Sequence, residues 1–448
     1  MASSFAARAG AWLVVFCALA LFFICSTPAS AFCGFYVGKA DASLFNDASQ
    51  VIMVRRDNRT VISMANDYRG ALTEFALVVP VPTVLERSQI RIGDRKLFER
   101  IDAYSAPRLA LYHDPDPCAV KAARSMGVQN SALPASAAKE EKQRDKALGV
   151  AVEAAYTVGE YDIVMLSAKQ SDGLETWLRE NGYRIPKGAS AALKPYVRQN
   201  MKFFVAKVNL KEQAKTGAAY LRPLQFAFES EKFMLPVRLG MLNAKGPQDL
   251  VLYVLTPQGR VETTNYRTVK VPANMDLPLF VRDEFAQTYK ALFATHAARE
   301  DYRAIFTEYF WDMSWCDPCA ADPLTHDELR QAGVFWLDPQ GSARGGGQPV
   351  MLTRLHLRYT RESLPEDLAF QETADRQNFQ ARYVLRQPWR GDSASCVGAP
   401  AYFDELARRQ EREAATLASL TGRDVNAIRA KMTLAPQPKD RWWDTLWK

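Results

Sequence analysis

Trp311-Asp312-Met313-Ser314-Trp315-Cys316-Asp317-Pro318-Cys319-Ala320 holds the one Cys-x-x-Cys of the chain and wraps it in aromatic residues. Thr325-His326-Asp327-Glu328 follows, with the Ser/Thr-x-x-Glu spacing of a capping box, and so marks a helix start about six residues beyond Cys319. A Trp-Cys-x-x-Cys run can carry thiol–disulfide exchange. The first sulfur is then a thiolate stabilised at a helix N-terminus, and the second resolves the mixed disulfide. That chemistry needs a strand directly before the pair and a helix directly after it. Here Pro323 and Thr325 displace the helix, and Tyr302 to Trp311 reads as helical or irregular. The pair is therefore expected to be a structural staple, with the redox role of Cys316 and Cys319 as the alternative.

Working outward, the N-terminus carries a targeting pattern. Arg8 is followed by an apolar run from Ala11 to Ile24, then by Pro28-Ala29-Ser30-Ala31 with small residues at the positions a signal peptidase reads. The sequence predicts a signal peptide over 1–31, cleaved after Ala31, and a periplasmic or secreted protein. Five cysteines lie beyond that site: Cys33, Cys118, Cys316, Cys319 and Cys396. An oxidising compartment favours disulfides, and an odd count leaves two bridges and one thiol as the simplest outcome, with connectivity open.

The formal charge is +7 and is spread along the chain, with pairs such as Arg408-Arg409 read as solvated faces. No basic stripe interleaved with aromatics points to nucleic acid. No second long apolar run predicts a membrane span.

The pattern divides into a β-rich region over 32–130, a linker or surface insertion over 131–147, an α/β region over 148–300, a segment over 301–435 with the Cys pair and C-terminal helices, and an aromatic tail over 436–448. Val51 to Val54 and Thr60 to Met64 flank a turn at Asp57-Asn58, a hairpin signal. Phe75 to Val79 is a strand that should end at Pro80 or lie at an edge, because proline donates no ladder hydrogen bond. Ser88 to Tyr104 reads as a helix, and Ser171 as the cap of another that stops at Gly182. Strands are expected at Leu224 to Phe228 and Val237 to Met241, and a hairpin at Leu250 to Thr263. In Val350 to Tyr359, Arg354, His356 and Arg358 alternate with Leu355, Leu357 and Tyr359, so the two sets face opposite ways. The whole reads as a mixed α+β fold. Trp442, Trp443 and Trp447 in the tail are expected to dock on the body, with a contact to an envelope partner as the alternative.

Four sequence runs together resemble the bacterial secreted family of unknown function numbered 2330. They are Cys33 to Ala42, Phe75 to Pro82, Asp114-Pro115-Asp116-Pro117-Cys118, and Trp315 to Cys319. The resemblance covers Cys33 to at least Leu337. It implies an exported protein and assigns no activity, cofactor or residue role.

The remaining chemistries are weak. A zinc site would need Cys396 and His356 to join the Cys pair from afar, and His326 lies outside ligand spacing, so no metal is expected. Ser136-Ala137-Ala138-Lys139, Ser171-Asp172-Gly173 and Lys215-Thr216-Gly217 mimic a β-lactamase motif set, but Ser136 lies in a small, highly charged stretch unsuited to a desolvated nucleophile. The carboxylates of Glu366-Asp367 are adjacent and are expected to face solvent. No dinucleotide, phosphate-loop or metalloprotease fingerprint occurs, so no cofactor is expected. The leading expectation is a non-catalytic structural or binding protein of the cell envelope.

Overall fold

The computed structural model describes residues 35–38, 45–69, 75–119, 150–183, 185–186, 188–216, 221–242, 246–315, 322–338 and 348–435. The expected signal peptide over 1–31, the stretch 131–147, Cys33, Cys316, Cys319, Gly345 to Gly347 and the tail 436–448 lie outside the described residues.

Strands β1 (Phe35–Gly38), β2 (Phe45–Arg56), β3 (Arg59–Arg69), β4 (Phe75–Val81) and β5 (Ile90–Ile92) precede helix α1 (Arg95–Ser105) and strand β6 (Arg108–His113). Strands β7 (Val150–Val158) and β8 (Tyr161–Ala168) are followed by helices α2 (Ser171–Glu180) and α3 (Ala189–Arg198). Strand β9 (Lys202–Val208), helix α4 (Leu210–Thr216) and strands β10 (Leu224–Glu229), β11 (Met234–Leu235), β12 (Gln248–Thr256) and β13 (Val261–Thr263) come next. Strands β14 (Arg267–Lys270) and β15 (Met275–Leu277) lead to helix α5 (Phe285–Arg299), strand β16 (Ala304–Asp312) and helix α6 (His326–Ala332). Strands β17 (Met351–Tyr359), β18 (Leu368–Glu372), β19 (Phe379–Gln380) and β20 (Arg382–Gln387) and helices α7 (Ala399–Thr421) and α8 (Val425–Ala430) complete the order. The fold is mixed α+β.

A nine-stranded sheet in the order β14-β16-β17-β12-β2-β3-β10-β5, with β19 on β16, forms the centre. A five-stranded sheet, β1-β4-β9-β8-β7, stacks on it, and two three-stranded sheets, β11-β18-β13 and β15-β20-β6, complete the β structure. Both faces of the central sheet are covered. Val51 and Met53 join Leu252, Leu355 and Phe226 in the core shared with the five-stranded sheet. Ile52 and Val54 turn the other way, onto Phe98 and Ile101 of α1 and Leu329 of α6. Double-sided burial explains why Val51 to Val54 reads as a continuous apolar run rather than an alternation. Each such side chain contributes about 2 kcal/mol by leaving water.

Local rules place the helices that cover the far face. Asp94 caps α1 by accepting the Lys96 amide at 2.9 Å. Thr325 and Glu328 form the expected reciprocal box on α6, and Gly333 ends it at φ 101°. A Cβ on Gly333 would lie 2.6 Å from Val61, so this helix end must be glycine for both conformation and space. A disulfide joins Cys118 to Cys396 across 278 residues and fixes the loop after β6 to the start of α7.

Several local expectations change. Tyr302 to Trp311, read as helical or irregular, contains a central strand buried from Ala304 to Phe310. Its β-branched and aromatic residues were outweighed in the sequence by one charge, Glu308, which is itself buried. Strand β4 continues through Pro80, opposite Phe203, to Val81, since an extended strand tolerates proline where its missing N–H is not needed. The segment at Ser88 to Ile92 is a 3-10 turn and a short strand, and the helix begins only after Asp94. Gln170 rather than Ser171 holds the cap position of α2. Residues Arg238–Leu242 form a 3-10 turn instead of a strand. β12 and β13 do not pair: β12 already has β2 and β17 at its two edges, and β13 pairs with β18.

Replacing Cys118 and Cys396 together by serine should lower the unfolding free energy by about 4 kcal/mol, because the bridge closes a very long loop. Denaturant unfolding of the double variant against the oxidised protein measures this.

Candidate ligand cavity

Three places in the described structure gather unusual groups: a cavity between the two large sheets, a buried ion cluster in the central sheet, and a cleft along α7.

The cavity has a volume of about 310 Å³. Its floor comes from β3 and β10, which pair antiparallel with Ile62 opposite Phe226 and Thr60 opposite Phe228. Alternation along β3 sends Ile62 and Met64 into this space and Val61 to the opposite core. The roof comes from Val79 and Pro80 of β4 and from Met201, with Met234 and Leu235 closing one side. Asn200 has φ 56°, a left-handed turn that asparagine tolerates, and it separates the end of α3 from Met201. Phe204, Phe226 and Phe228 stack at 5.3 and 6.2 Å and stiffen the wall. Polar groups are confined to the rim. There the Lys232 ammonium donates to the Gln199 side-chain oxygen at 2.7 Å, and Arg59 holds Glu229 at 3.0 Å. Apolar walls with a few polar groups suit binding, and the carboxylates that line the cavity, Glu229 and Glu231, belong to exposed residues.

The ion cluster is built by a bulge. Thr307 stands opposite Leu355 and Tyr309 opposite Arg354, which leaves Glu308 as the extra residue of β16. Its carboxylate meets both Arg354 and His356, two residues apart on one face of β17. Glu308 is fully buried; its Oε2 accepts from Arg354 Nε at 2.6 Å and its Oε1 lies 2.7 Å from His356 Nδ1. The Tyr289 hydroxyl donates to the same carboxylate. Arg354 reaches on to Asp102 of α1 at 2.6 Å, and Tyr253 donates to Asp102 at 2.7 Å. His356 stacks on Phe293 of α5, ring centres 3.5 Å apart. Burial alone would raise the Glu308 pKa, but the charges of His356 and Arg354 hold it at about 2. The expectation that Arg354, His356 and Arg358 oppose the apolar set on β17 holds, but this second face is packed under α1 and α5 rather than wet.

The cleft lies along α7. Arg409 and Glu413 line both a cavity of about 580 Å³ and a neighbouring one of about 600 Å³. Arg409 grips Asp114 through two bonds of 3.0 and 2.6 Å, and Tyr402 donates to Asp114 at 2.7 Å. Burial alone would raise the Asp114 pKa, but these bonds hold it below the usual carboxylate range. Among the described residues, Glu413 has only a 3.3 Å contact with Arg409 Nε, and burial pushes its pKa up to about 7. Arg409 is committed to Asp114, so it cannot offset the desolvation of a second carboxylate.

Two sequence readings are corrected here. Arg409, taken as part of a solvated pair, is largely buried and paired. Asp367, taken as solvent-facing, is buried and accepts from the Tyr196 hydroxyl at 2.7 Å and the Val237 amide at 2.9 Å. Arg409 and Glu413 share the helical stripe of Leu406, Ala414 and Leu417, and that spacing was the available signal. Nothing in the sequence marked Glu308 or Asp102. Cys396 is bonded to Cys118, so it offers no thiolate to a zinc ion, and His356 Nδ1 faces Glu308. Among the described residues, no group of three or more His, Cys, Asp or Glu is placed to hold a metal. Lys215 and Thr216 lie on α4 rather than on a strand, and Ser136 to Lys139 fall outside the described residues.

A family described as "Uncharacterized protein conserved in bacteria (DUF2330)" matches residues 27–371. That span contains the cavity and the ion cluster, whereas α7 lies beyond it. No curated protein and no solved structure matches the chain.

Two variants test the electrostatics. Glu308→Gln should destabilise the protein by about 3 kcal/mol at pH 7, since it leaves Arg354 and His356 short of their counter-charge. Because the folded pKa of Glu308 lies below its unfolded value of about 4.3, this difference should shrink as pH falls from 4.5 toward 2. Glu413→Gln should do the reverse. A carboxyl with a raised folded pKa loses stability as pH rises through the interval from about 4.5 to 7, so the variant should match wild type at pH 4 and exceed it by about 3 kcal/mol at pH 9. Denaturant midpoints across pH check both.

Proposed function

Taking as premise that the chain belongs to the bacterial DUF2330 family, we propose that it is an exported, non-catalytic binding protein of the cell envelope. The cavity between the two large sheets carries this reading. It is preformed, walled by rigid aromatic and aliphatic side chains, and lies within the family-matched span. Export draws support from the apolar run Ala11 to Ile24 with its small-residue site at Ala31. The Cys118–Cys396 bridge adds support, because such bonds persist in oxidising compartments. Among the described residues, no helix is long and apolar enough to cross a membrane. The tail tryptophans Trp442, Trp443 and Trp447 would supply the contact with an envelope partner.

A second reading, thiol–disulfide exchange at Cys316 and Cys319, has one observation in its favour. β16 is a central strand, and Trp315 lies half-exposed shortly past its end. This supplies the strand that such a motif requires, while α6 still begins several residues too late. A Cys316–Cys319 bridge that a thioredoxin-class dithiol reduces in the folded protein would support this reading. Pairing of either cysteine with Cys33 would remove it.

Two measurements test the main proposal. Expression of the full chain in a bacterium with a periplasm should give a soluble periplasmic protein starting at Phe32, and retention of Ala11 to Ile24 would contradict export. 1-Octanol, a neutral apolar probe, should bind the purified protein and raise its thermal midpoint. Met234→Trp, which fills the mouth of the cavity, should abolish that binding while the protein still unfolds cooperatively.

A further inference from the structure

We infer that the inter-sheet cavity recognises an amphiphile with a single carboxylate head, of the medium-chain fatty-acid class, with its tail between the sheets and its head at Lys232. This rests on the binding reading above and adds the chemistry of the ligand.

The tail follows from shape and lining. A cavity of 150 Å³ walled by aliphatic and aromatic groups stays dry and takes up benzene. The present cavity, about 310 Å³, offers twice that space between Ile62, Met64, Phe226 and Phe228. A flexible chain of about eight to ten carbons fits such a volume. Methionine walls adapt to a chain of variable length, because the thioether side chain is unbranched and readily re-packs.

The head follows from the charges at the mouth. Among the described residues, the Lys232 ammonium bonds only the Gln199 amide oxygen, so a neutral partner occupies one of its three donors. Beneath the same loop lies Arg55, whose guanidinium donates to the backbone oxygens of Ser230 (2.9 Å) and Glu231 (3.4 Å). Arg55 is buried, and it brings positive charge to the rim through hydrogen bonds to neutral carbonyls and to Thr60. The rim acids are Glu229, already held by Arg59, and Glu231, an exposed residue next to Lys232. Of the charged residues that line the cavity, Glu229 is offset by Arg59, which leaves Lys232 and Glu231, with Arg55 beneath the loop. The two remaining donors of Lys232 can take a carboxylate head.

The test measures binding of octanoate, 1-octanol and octylamine to wild type and Lys232→Gln by isothermal titration calorimetry at pH 7.5. Lys232 is exposed, so the variant should keep its fold, which its thermal midpoint verifies. Octanoate should bind wild type more tightly than octanol, and octylamine least. Lys232→Gln should weaken octanoate by about fivefold, the scale of an exposed ion pair, and leave octanol unchanged. Lengthening hexanoate to octanoate should tighten binding by about fourfold per methylene. Octanol binding as tightly as octanoate, octylamine binding tightest, or octanoate affinity indifferent to Lys232→Gln would overturn the head-group assignment while leaving the cavity reading intact. Failure of all three probes to bind would overturn both.

Discussion

A fully buried carboxylate between an arginine and a histidine constrains the centre of this fold. Glu308 can be ionised inside a nine-stranded sheet only because Arg354 and His356 stand beside it on the adjacent strand. Removing a carboxylate from water is costly, and an unpaired one would take up a proton instead. The bulge at Glu308 sets the register of β16 on β17 so that one carboxylate meets both Arg354 and His356. Arg354 then passes the constraint to Asp102 on α1, and His356 passes it to Phe293 on α5. One group thereby fixes strand register and the seats of two helices.

That arrangement leaves the opposite face of the sheet free for apolar packing. Ile62, Met64, Phe226 and Leu252 lie there, against β4 and β9 of the five-stranded sheet. Polar demands are met on one face, so the other can be lined almost wholly by carbon. Where β3 and β10 run past Pro80 and Met201, the two layers do not close completely and a cavity is left. The division of labour is physical: the ion cluster supplies specificity of register, the apolar face supplies most of the burial energy, and the imperfect contact between layers leaves the cavity.

Much of this was legible in the sequence, and the rest was hidden for identifiable reasons. The hairpin at Asp57-Asn58, the strand at Leu224 to Phe228 and the capping box at Thr325 all follow from local chemistry, and the structure has them. The alternation of Arg354 and His356 with Leu355 and Leu357 was also visible. Its meaning was not, because a charged face looks the same in sequence whether it meets water or a buried carboxylate 48 residues away. Glu308 concealed the strand that carries it for the same reason. Asp367 and Arg409 were taken for surface charges because their partners, Tyr196 and Asp114, are distant in sequence. The cavity left no sequence trace, since its lining residues are ordinary core residues that differ only in what fails to pack against them.

The most direct test of a binding role is native mass spectrometry of the protein recovered gently from the bacterium that makes it. The spectrum should show a single small adduct per chain, with the mass of a medium-chain acid, released on denaturation and reduced in a Met234→Trp variant purified in parallel. A homogeneous, adduct-free protein, together with an inter-sheet cavity that a solved structure shows filled by the chain's own side chains, would contradict it.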